Sequence, residues 1–517
     1  MKNNIIFKIR DGVLRHSERI AVIEKQGKDY QQITFSQFWE DVKSIGHFLS
    51  EKGIKKGDKV VVFVPMSTNL YKIILGLYYI GATVVFMDAW ITKERLQIAC
   101  DIAKPAGFIG IPKAHLLRFL SPAIRKIPVK IIVKKNFKFK PAPENFEPVE
   151  TELEDTALVS FTTGSTGVPK ATRRTHDYIW QTTLAMQKHH PLAAGEVDMP
   201  ILPLFMGNNL LQGVTTVIPD FNPAKPADIN PETITKQIQK FGVTTSLGSP
   251  AFYDKLADYL LERNITLDIK TIFMGGAPVF PPLAEKLVKA FPKTRVEVVY
   301  GSSEAEPIAS ILADEVAKSN ILDGLAVGKK VDFIDMKILK PVDGPLELKE
   351  GETLENYLAG KEEVGEIIVS GAHVLKEYLN SPEAFRENKI VEGDKIWHRT
   401  GDAGIIDKEG NVLLFGRVKN RFQYQDKWLY TLPLEQKLLE LKDKIRFATV
   451  VGKNGKIYVL LEPMEGTEKI DADFLKNEAA KMLDGIRVDE FKILEKIPRD
   501  PRHHSKPNYA EINKILS

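Results

Sequence analysis

Cysteine is nearly absent from this sequence: Cys100 is the single one in 517 residues. One thiol closes no intramolecular disulfide, and no Cys/His cluster has the spacing of a zinc site. That usage fits a reducing compartment, and a cytoplasmic location is expected. Charge of one sign is scarce too. Set against 68 Asp and Glu, 72 Lys and Arg leave a formal +4, too weak a field for a dedicated nucleic-acid binder. No nucleic-acid partner is expected. Long apolar runs are also missing. The best, Ile73 to Met87, holds about 15 uncharged residues where a bilayer span needs ~20, and Gly76, Gly81 and Ala82 interrupt it. It reads as a buried helix turning into a strand around Thr83–Met87, so an integral membrane protein is not expected. The first twenty residues mix charge and do not read as a signal peptide. Internal repeats are absent.

What is present is ordinary globular material, 43% hydrophobic and 27% charged, long enough for two to four folding units. From Thr34 to Trp90 helix and strand patterns alternate. FSQFWEDVKSIGHFLSEKG carries apolar residues at helical spacing and stops at Gly53, and GDKVVVFVP reads as a buried strand stopped by Pro65. Such alternation predicts an α/β fold with a largely parallel sheet. The polar, proline-punctuated stretch KKNFKFKPAPENFEPVETELED reads as a surface connection, its lysines on a solvated strand edge or loop. Four later β-rich runs end in small-residue turns, ALVSFTTGSTG, ITKQIQKFGVTTSLGSP, IKTIFMGGAP and VEVVYGSSEAEP. In open α/β sheets ligands sit beyond the carboxyl ends of strands, so these turns should line one crevice. After Gly324 short strands between glycine turns suggest a small barrel-like or antiparallel subdomain. About 100 residues past Arg417 suffice for one small α+β domain.

The most informative loop is Phe161-Thr-Thr-Gly-Ser-Thr-Gly-Val-Pro-Lys170. Gly164 and Gly167 allow a tight turn and close backbone approach. Backbone N–H groups with the hydroxyls of Thr162, Thr163, Ser165 and Thr166 can donate to phosphate oxygens, and Lys170 adds a point charge. It is not a Walker A loop, because Pro169 precedes the lysine and Ala171 stands where that motif needs a Ser or Thr for Mg²⁺. The plain alternative, a surface loop of small residues, does not explain why hydroxyls, glycines and a lysine are arrayed together.

The loop resembles the phosphate-binding signature of the adenylate-forming superfamily, which includes acyl-CoA synthetases, peptide-synthetase adenylation domains and luciferases. Further blocks follow in the family's order: Pro203-Leu-Phe205, Gly275-Gly276-Ala277-Pro278, Tyr300-Gly301-Ser-Ser303-Glu304, Gly365-Glu-Ile-Ile-Val-Ser-Gly371 with Tyr378, Arg399-Thr-Gly-Asp402, Gly416-Arg417 and a late lysine, Lys506. The resemblance runs from about Thr34 to Lys506. It implies a large AMP-binding domain over 1–416 and a small, mobile carboxyl-terminal domain over 417–517. It also implies ATP and Mg²⁺, with a carboxylate attacking the α-phosphate to give acyl-adenylate and pyrophosphate. Positive charge and N–H donors must then sit where negative charge develops. Carried over residue by residue, Thr162–Lys170 holds the β- and γ-phosphates. Glu304 binds Mg²⁺, Ser303 touches the α-phosphate, and Tyr300 packs on adenine beside the 275–278 turn. Asp402 accepts from the ribose hydroxyls with Arg417 nearby. Lys506 is the catalytic lysine from the small domain, in a segment two residues longer than the family pattern and with Ser505 in place of its glycine. Lys419 occupies the hinge position.

The pattern departs past the hinge. Asp426 and Trp428 stand about where acyl-CoA synthetases carry the glycine and arginine that approach pantetheine, so CoA, or an acyl carrier, is an open acceptor. The run Asn420 to Glu435, YGSSEAEP and the Arg-His-His-Ser-Lys506 tail look closer to the olefin-pathway β-lactone synthetases. In those relatives a β-hydroxyl of the acid itself expels AMP, and effective molarity replaces a second substrate. The acyl pocket is expected around Phe205, Met206, Gly207 and Gly248. Amino-acid-activating relatives carry an aspartate after that Phe, where this chain has Met206. An unpaired ammonium in an apolar pocket is costly, which points to a fatty or otherwise hydrophobic acid. Two second steps therefore stand: transfer to a thiol, or lactone closure. A non-catalytic ATP-binding module on the same fold is the remaining alternative.

Overall fold

Thr34 opens the first long helix with a reciprocal cap. Its side chain accepts from the Gln37 N–H, and the Gln37 side chain accepts from the Thr34 N–H. In the helix Phe35–Glu51 the apolar stripe turns Phe38, Val42, Ile45 and Leu49 into the core, each worth roughly 1.5–3 kcal/mol of burial. Gly53, at φ +88°, ends it. The strand Lys59–Phe63, the helix Thr68–Tyr79 and the strand Thr83–Phe86 follow as the pattern predicts. The computed structural model describes residues 3–87, 92–135, 137, 139–163, 169–203, 206–222, 228–441, 444–464, 472–483, 485–499 and 507–516.

Two sheets carry the candidate site residues. The first is six-stranded, in the order Val129–Ile132, Gly107–Gly110, Lys59–Phe63, Thr83–Phe86, Thr156–Thr163, Pro169–Thr175. Its pairs are parallel except the last, which is antiparallel. The second is fourteen-stranded. Its parallel middle comprises Thr215–Val217, Val197–Pro200, Thr245–Gly248, Thr271–Met274 and Arg295–Ser302. The strands after Gly324 are antiparallel, as their glycine-punctuated pattern suggests. They continue this same sheet through the pairing of Ala309 with Lys330.

Register explains why small-residue turns meet. Gly248 pairs with Met274 and Met274 with Val298, so two strands end side by side at Ser249 and Gly275, while the third runs on through Tyr300 to Ser302, just before Glu304. A buried polar knot secures the neighbouring helix Met206–Gln212. Asn209 donates to Asp198 at 2.8 Å and to Thr216 at 3.0 Å, and Thr245 donates to Asp198 at 2.9 Å. Burial pushes the Asp198 carboxyl up to about 6, with those donors pulling the other way.

Past Arg417 the chain forms the hairpin Phe422–Tyr424/Lys427–Leu429 and a three-stranded sheet, Ile445–Lys453, Lys456–Pro463 and Glu490–Ile493. Leu438, Val450, Val459, Leu461 and Leu475 gather there in an apolar cluster of their own.

Candidate active site

The strand Thr156–Thr163 leads into the Gly/Ser/Thr loop. Gly164, Ser165, Thr166 and Gly167 lie outside the described residues, as do Phe205 and Lys506. The loop's two flanks are described and face each other, with Thr162 paired across the ladder with Lys170. The Thr162 hydroxyl donates to Glu304 Oε1 at 3.3 Å. The Lys170 ammonium is buried, donates to Asn388 Oδ1 at 2.9 Å and lies 3.8 Å from Glu387 Oε2. Burial lowers its pKa, while Glu387 and Glu304 pull it back.

Glu304 sits in the hairpin between Arg295–Ser302 and Ala305–Leu312, where Ser302 pairs with Ala305. Its backbone is pinned twice: its N–H donates to Ser302 Oγ at 3.2 Å, and its carbonyl accepts from Leu375 N–H at 2.7 Å. Arg174 donates to the preceding Ser303 carbonyl at 2.9 Å. The carboxylate itself receives long hydroxyl contacts, from Thr162 and, at 3.4 Å, from Tyr378. A rigidly placed carboxylate with weakly held oxygens suits a hard cation that keeps its other ligands from water and phosphate.

A second group of candidate residues is built from three more elements. Asp402 and Arg417 pair across adjacent strands, and Arg417 Nη1 donates to Asp402 Oδ1 at 2.7 Å. The Tyr300 hydroxyl donates to Asp402 Oδ2 at 2.8 Å. Asp402 raises the pKa of the Arg417 guanidinium, outweighing partial desolvation of a side chain that stays 47% exposed. Burial, then Asp402, lift the Tyr300 phenol well above its ordinary value. The turn before Asp402 is held by Glu366, which accepts from Gly401 N–H at 3.1 Å and from buried Arg399 at 2.6 and 2.9 Å. Gly401 has φ +71°, and a Cβ there would come within 2.9 Å of the Arg417 guanidinium, so a side chain would be strained and would push Arg417 from its place. The 275–278 turn follows the strand Thr271–Met274. Gly275 N–H donates to the Gly248 carbonyl at 3.1 Å, and Gly276 adopts φ +85°. Tyr300, Asp402 and Arg417 are thus joined by hydrogen bonds, and the turn Gly275, Gly276, Ala277, Pro278 follows a strand that pairs with the one carrying Tyr300 and Gly301.

The remaining expectations are placed differently. Met206 is fully buried at the start of its helix, and Gly207 has open space where a side chain would begin. The corresponding direction at Gly248 faces Ile201, 2.6 Å away, and Tyr253, both part of the apolar core. Lys419 lies in the turn Val418–Asn420, where burial, Arg417 and Lys170 all lower its pKa. In the hairpin beyond it, Gln425 takes the left-handed turn position at φ +53°, next to Asp426. Trp428 is 52% exposed, with the Arg421 guanidinium 4.6 Å from its ring.

Sequence reasoning missed a buried layer behind Lys170 and Glu304. Lys389 is buried, donates to the Leu375 carbonyl and lies 5.6 Å from the Tyr378 ring. Burial brings its pKa down to about 7, with Glu304 opposing. His398 Nδ1 lies 3.2 Å from the Asn388 carbonyl, and burial followed by Lys389 keeps the ring neutral. Nothing in ENKIVEGDK distinguishes Lys389 from the many solvated lysines.

The AMP-binding enzyme family model matches residues 9–379. An olefin beta-lactone synthetase of Stenotrophomonas maltophilia is 29% identical over 506 residues, covering 92% of this chain and 89% of that one. A 2-succinylbenzoate–CoA ligase of Geobacillus sp. is 27% identical, covering 84% and 81%. Among solved structures, ATP-bound MatB from Rhodopseudomonas palustris superposes with a TM-score of 0.81 at 18% identity, covering 100% of this chain and 99% of that one. This last likeness concerns the fold.

Proposed function

The chain belongs to the AMP-binding enzyme family, and from that premise we propose that it activates a hydrophobic carboxylic acid as its acyl-adenylate. One observation carries the reading: residues spread over about 250 positions meet in two groups, Tyr300 with Asp402 and Arg417, and Glu304 with Thr162, which lies across the ladder from Lys170. A carboxylate oxygen attacks the α-phosphorus of ATP, the bond to the β-phosphate oxygen breaks, and pyrophosphate leaves. Two anions approach each other, so the barrier is mainly electrostatic. Lys170, with the hydroxyls and N–H groups of residues 162–167, holds the β- and γ-phosphates. Ser303 addresses the α-phosphate. Asp402 accepts from the ribose hydroxyls, Arg417 holds that carboxylate in place, and Tyr300 with the 275–278 turn borders the base. Glu304 is the ligand for Mg²⁺, which when bound neutralises phosphate charge. The acid lies along Met206 and Gly207 with Phe205.

In this reading residues 1–416 form the adenylation domain and 417–517 a second unit, whose separate apolar cluster supports independent movement. Lys419 is the hinge, and Lys506 comes from the second unit to the reacting carboxylate. The single buried cysteine fits a cytoplasmic setting. Among the described residues no helix is long and apolar enough to cross a membrane.

The second step we assign is transfer of the acyl group to a thiol, CoA or an acyl carrier. A relative named as a CoA ligase supports it. A second reading has its own support: a relative over most of the chain is named an olefin beta-lactone synthetase, and Trp428 and Asp426 occupy the hairpin expected to meet pantetheine. There a β-hydroxyl attacks the acyl carbon, AMP leaves, and the ring closes without a second substrate. The deciding experiment is AMP release over many turnovers with ATP, Mg²⁺ and fatty or 3-hydroxy fatty acids, with and without CoA. Turnover only with CoA establishes the thioester route. Turnover on 3-hydroxy acids without CoA establishes lactone closure. No pyrophosphate exchange with any acid overturns the adenylation reading itself.

A further inference from the structure

The outer edge of the six-stranded sheet carries a surface that adenylation does not use. Val129–Ile132 is the edge strand, and the helical segment from Ala114 to Lys126 packs beside it. Buried His115 ties the two together, its Nε2 3.0 Å from the Ile131 carbonyl. Ala114, Ala123, Ile124 and Ile127 face inward onto Phe108. Left outside are Leu116, Phe119 and Leu120, which are 57%, 80% and 61% exposed. Their i, i+3, i+4 spacing sets them on one side of a helical turn. Single exposed leucines need no explanation, but a phenyl ring standing in water between two leucines forms a patch.

The charge around this patch is one-sided. From Ile102 to Pro143 the sequence has no Asp or Glu and ten Lys or Arg, while the whole chain sums to +4. Lys113, Arg125 and Lys126 are exposed. With Arg118 and Lys130, they have no ion-pair partner among the described residues. Arg118 crowds its neighbours: after burial, its charge is the next cause lowering the Lys130 pKa, and it also lowers that of His115. Among the described residues no carboxylate pairs with this cluster.

Exposed apolar side chains ringed by unneutralised cations match an anionic bilayer surface. There the rings and methyls enter the acyl boundary and the cations meet headgroup phosphates and carboxylates. A nucleic acid would use the cations but leave Phe119 and Leu120 in water. We propose that the segment Ala114–Lys126, with the edge strand Val129–Ile132, docks this protein reversibly on anionic membranes. The docking does not depend on the active-site assignments. It extends them by bringing the enzyme to the phase in which a hydrophobic acid concentrates.

Co-sedimentation of the full chain with vesicles tests this. One set is phosphatidylcholine alone, and the other contains roughly 30 mol% phosphatidylserine. The expected result is binding to the anionic set that weakens as salt rises. Arg125→Glu with Lys126→Glu, and separately Phe119→Ser with Leu120→Ser, should each lower the affinity about tenfold or more. Both pairs are exposed, so melting temperature and AMP release with a water-soluble acid should stay at the parent values. Equal binding to the two vesicle sets overturns the proposal. So does undiminished binding by the Phe119→Ser/Leu120→Ser variant. Tight, salt-sensitive capture of a single-stranded oligonucleotide by that same variant would also overturn it, and would assign the cations to nucleic acid.

Discussion

Glu304 is held by its backbone and left available at its carboxylate, the reverse of a surface glutamate. Replacing it with glutamine keeps the shape and the Tyr378 and Thr162 contacts but removes the charge. Glu304→Gln should therefore lower ATP–pyrophosphate exchange by about 100-fold or more, with the melting temperature unchanged. Exchange at the parent rate would dismiss the metal-ligand assignment. At this scale a short motif names its residues because a turn's local chemistry fixes what it can present, and the structure adds their contacts: Asp402 pairs with Arg417, and Lys170 lies across the ladder from Thr162. Lys389 and His398 were illegible for the opposite reason. Their burial comes from strand register and from the Leu375–Tyr378 segment packing over them, and neither leaves a mark in the neighbouring letters.

Helices in this protein are bound to one another by few but specific polar contacts, and one of them titrates. Thr175 caps the helix His176–His189, and its first residue, His176, is buried with Nδ1 accepting from the Ile5 N–H at 3.3 Å. A protonated ring would turn that acceptor into a donor facing a donor. Burial accordingly lowers the His176 pKa from 6.5 to about 4. A folded-state pKa below the unfolded one means that the native state binds the proton less well. The stability it contributes is present above pH 6.5 and is lost as pH falls toward 4. His176→Gln keeps an acceptor and cannot titrate. Its melting temperature should fall less steeply than the parent's between pH 6.5 and 4, and parallel curves would count against this origin of acid sensitivity. Elements themselves were largely readable: Phe35–Glu51, Lys59–Phe63 and Thr83–Phe86 stand where periodicity and caps set them. Lys134, Lys135 and Lys140 follow the edge strand Val129–Ile132 and lie outside any strand, within the expectation of a solvated strand edge or loop, and the strands after Gly324 are antiparallel as expected.

For the molecule as a whole, the proposed two-step reaction demands two arrangements of residues 417–517 about Lys419. Proline at 419 would fix φ there and restrict Val418 as well. Lys419→Pro should leave pyrophosphate exchange largely intact while slowing release of the final thioester or lactone, so acyl-adenylate accumulates. Equal loss of both steps would mean that Lys419 is not a hinge. The sequence by itself determined the α/β class, the order of the motifs and the identity of the charged groups, since helical periodicity, turn chemistry and motif spacing are local properties. Tertiary structure decided which of those groups touch. Tyr300 reaches Asp402, and Thr162 and Tyr378 reach Glu304, across separations that no local pattern encodes. It also decided which lysine is buried beside the crevice and which apolar side chains stay in water. Burial depends on what the rest of the chain places overhead, and electrostatic strength depends on burial.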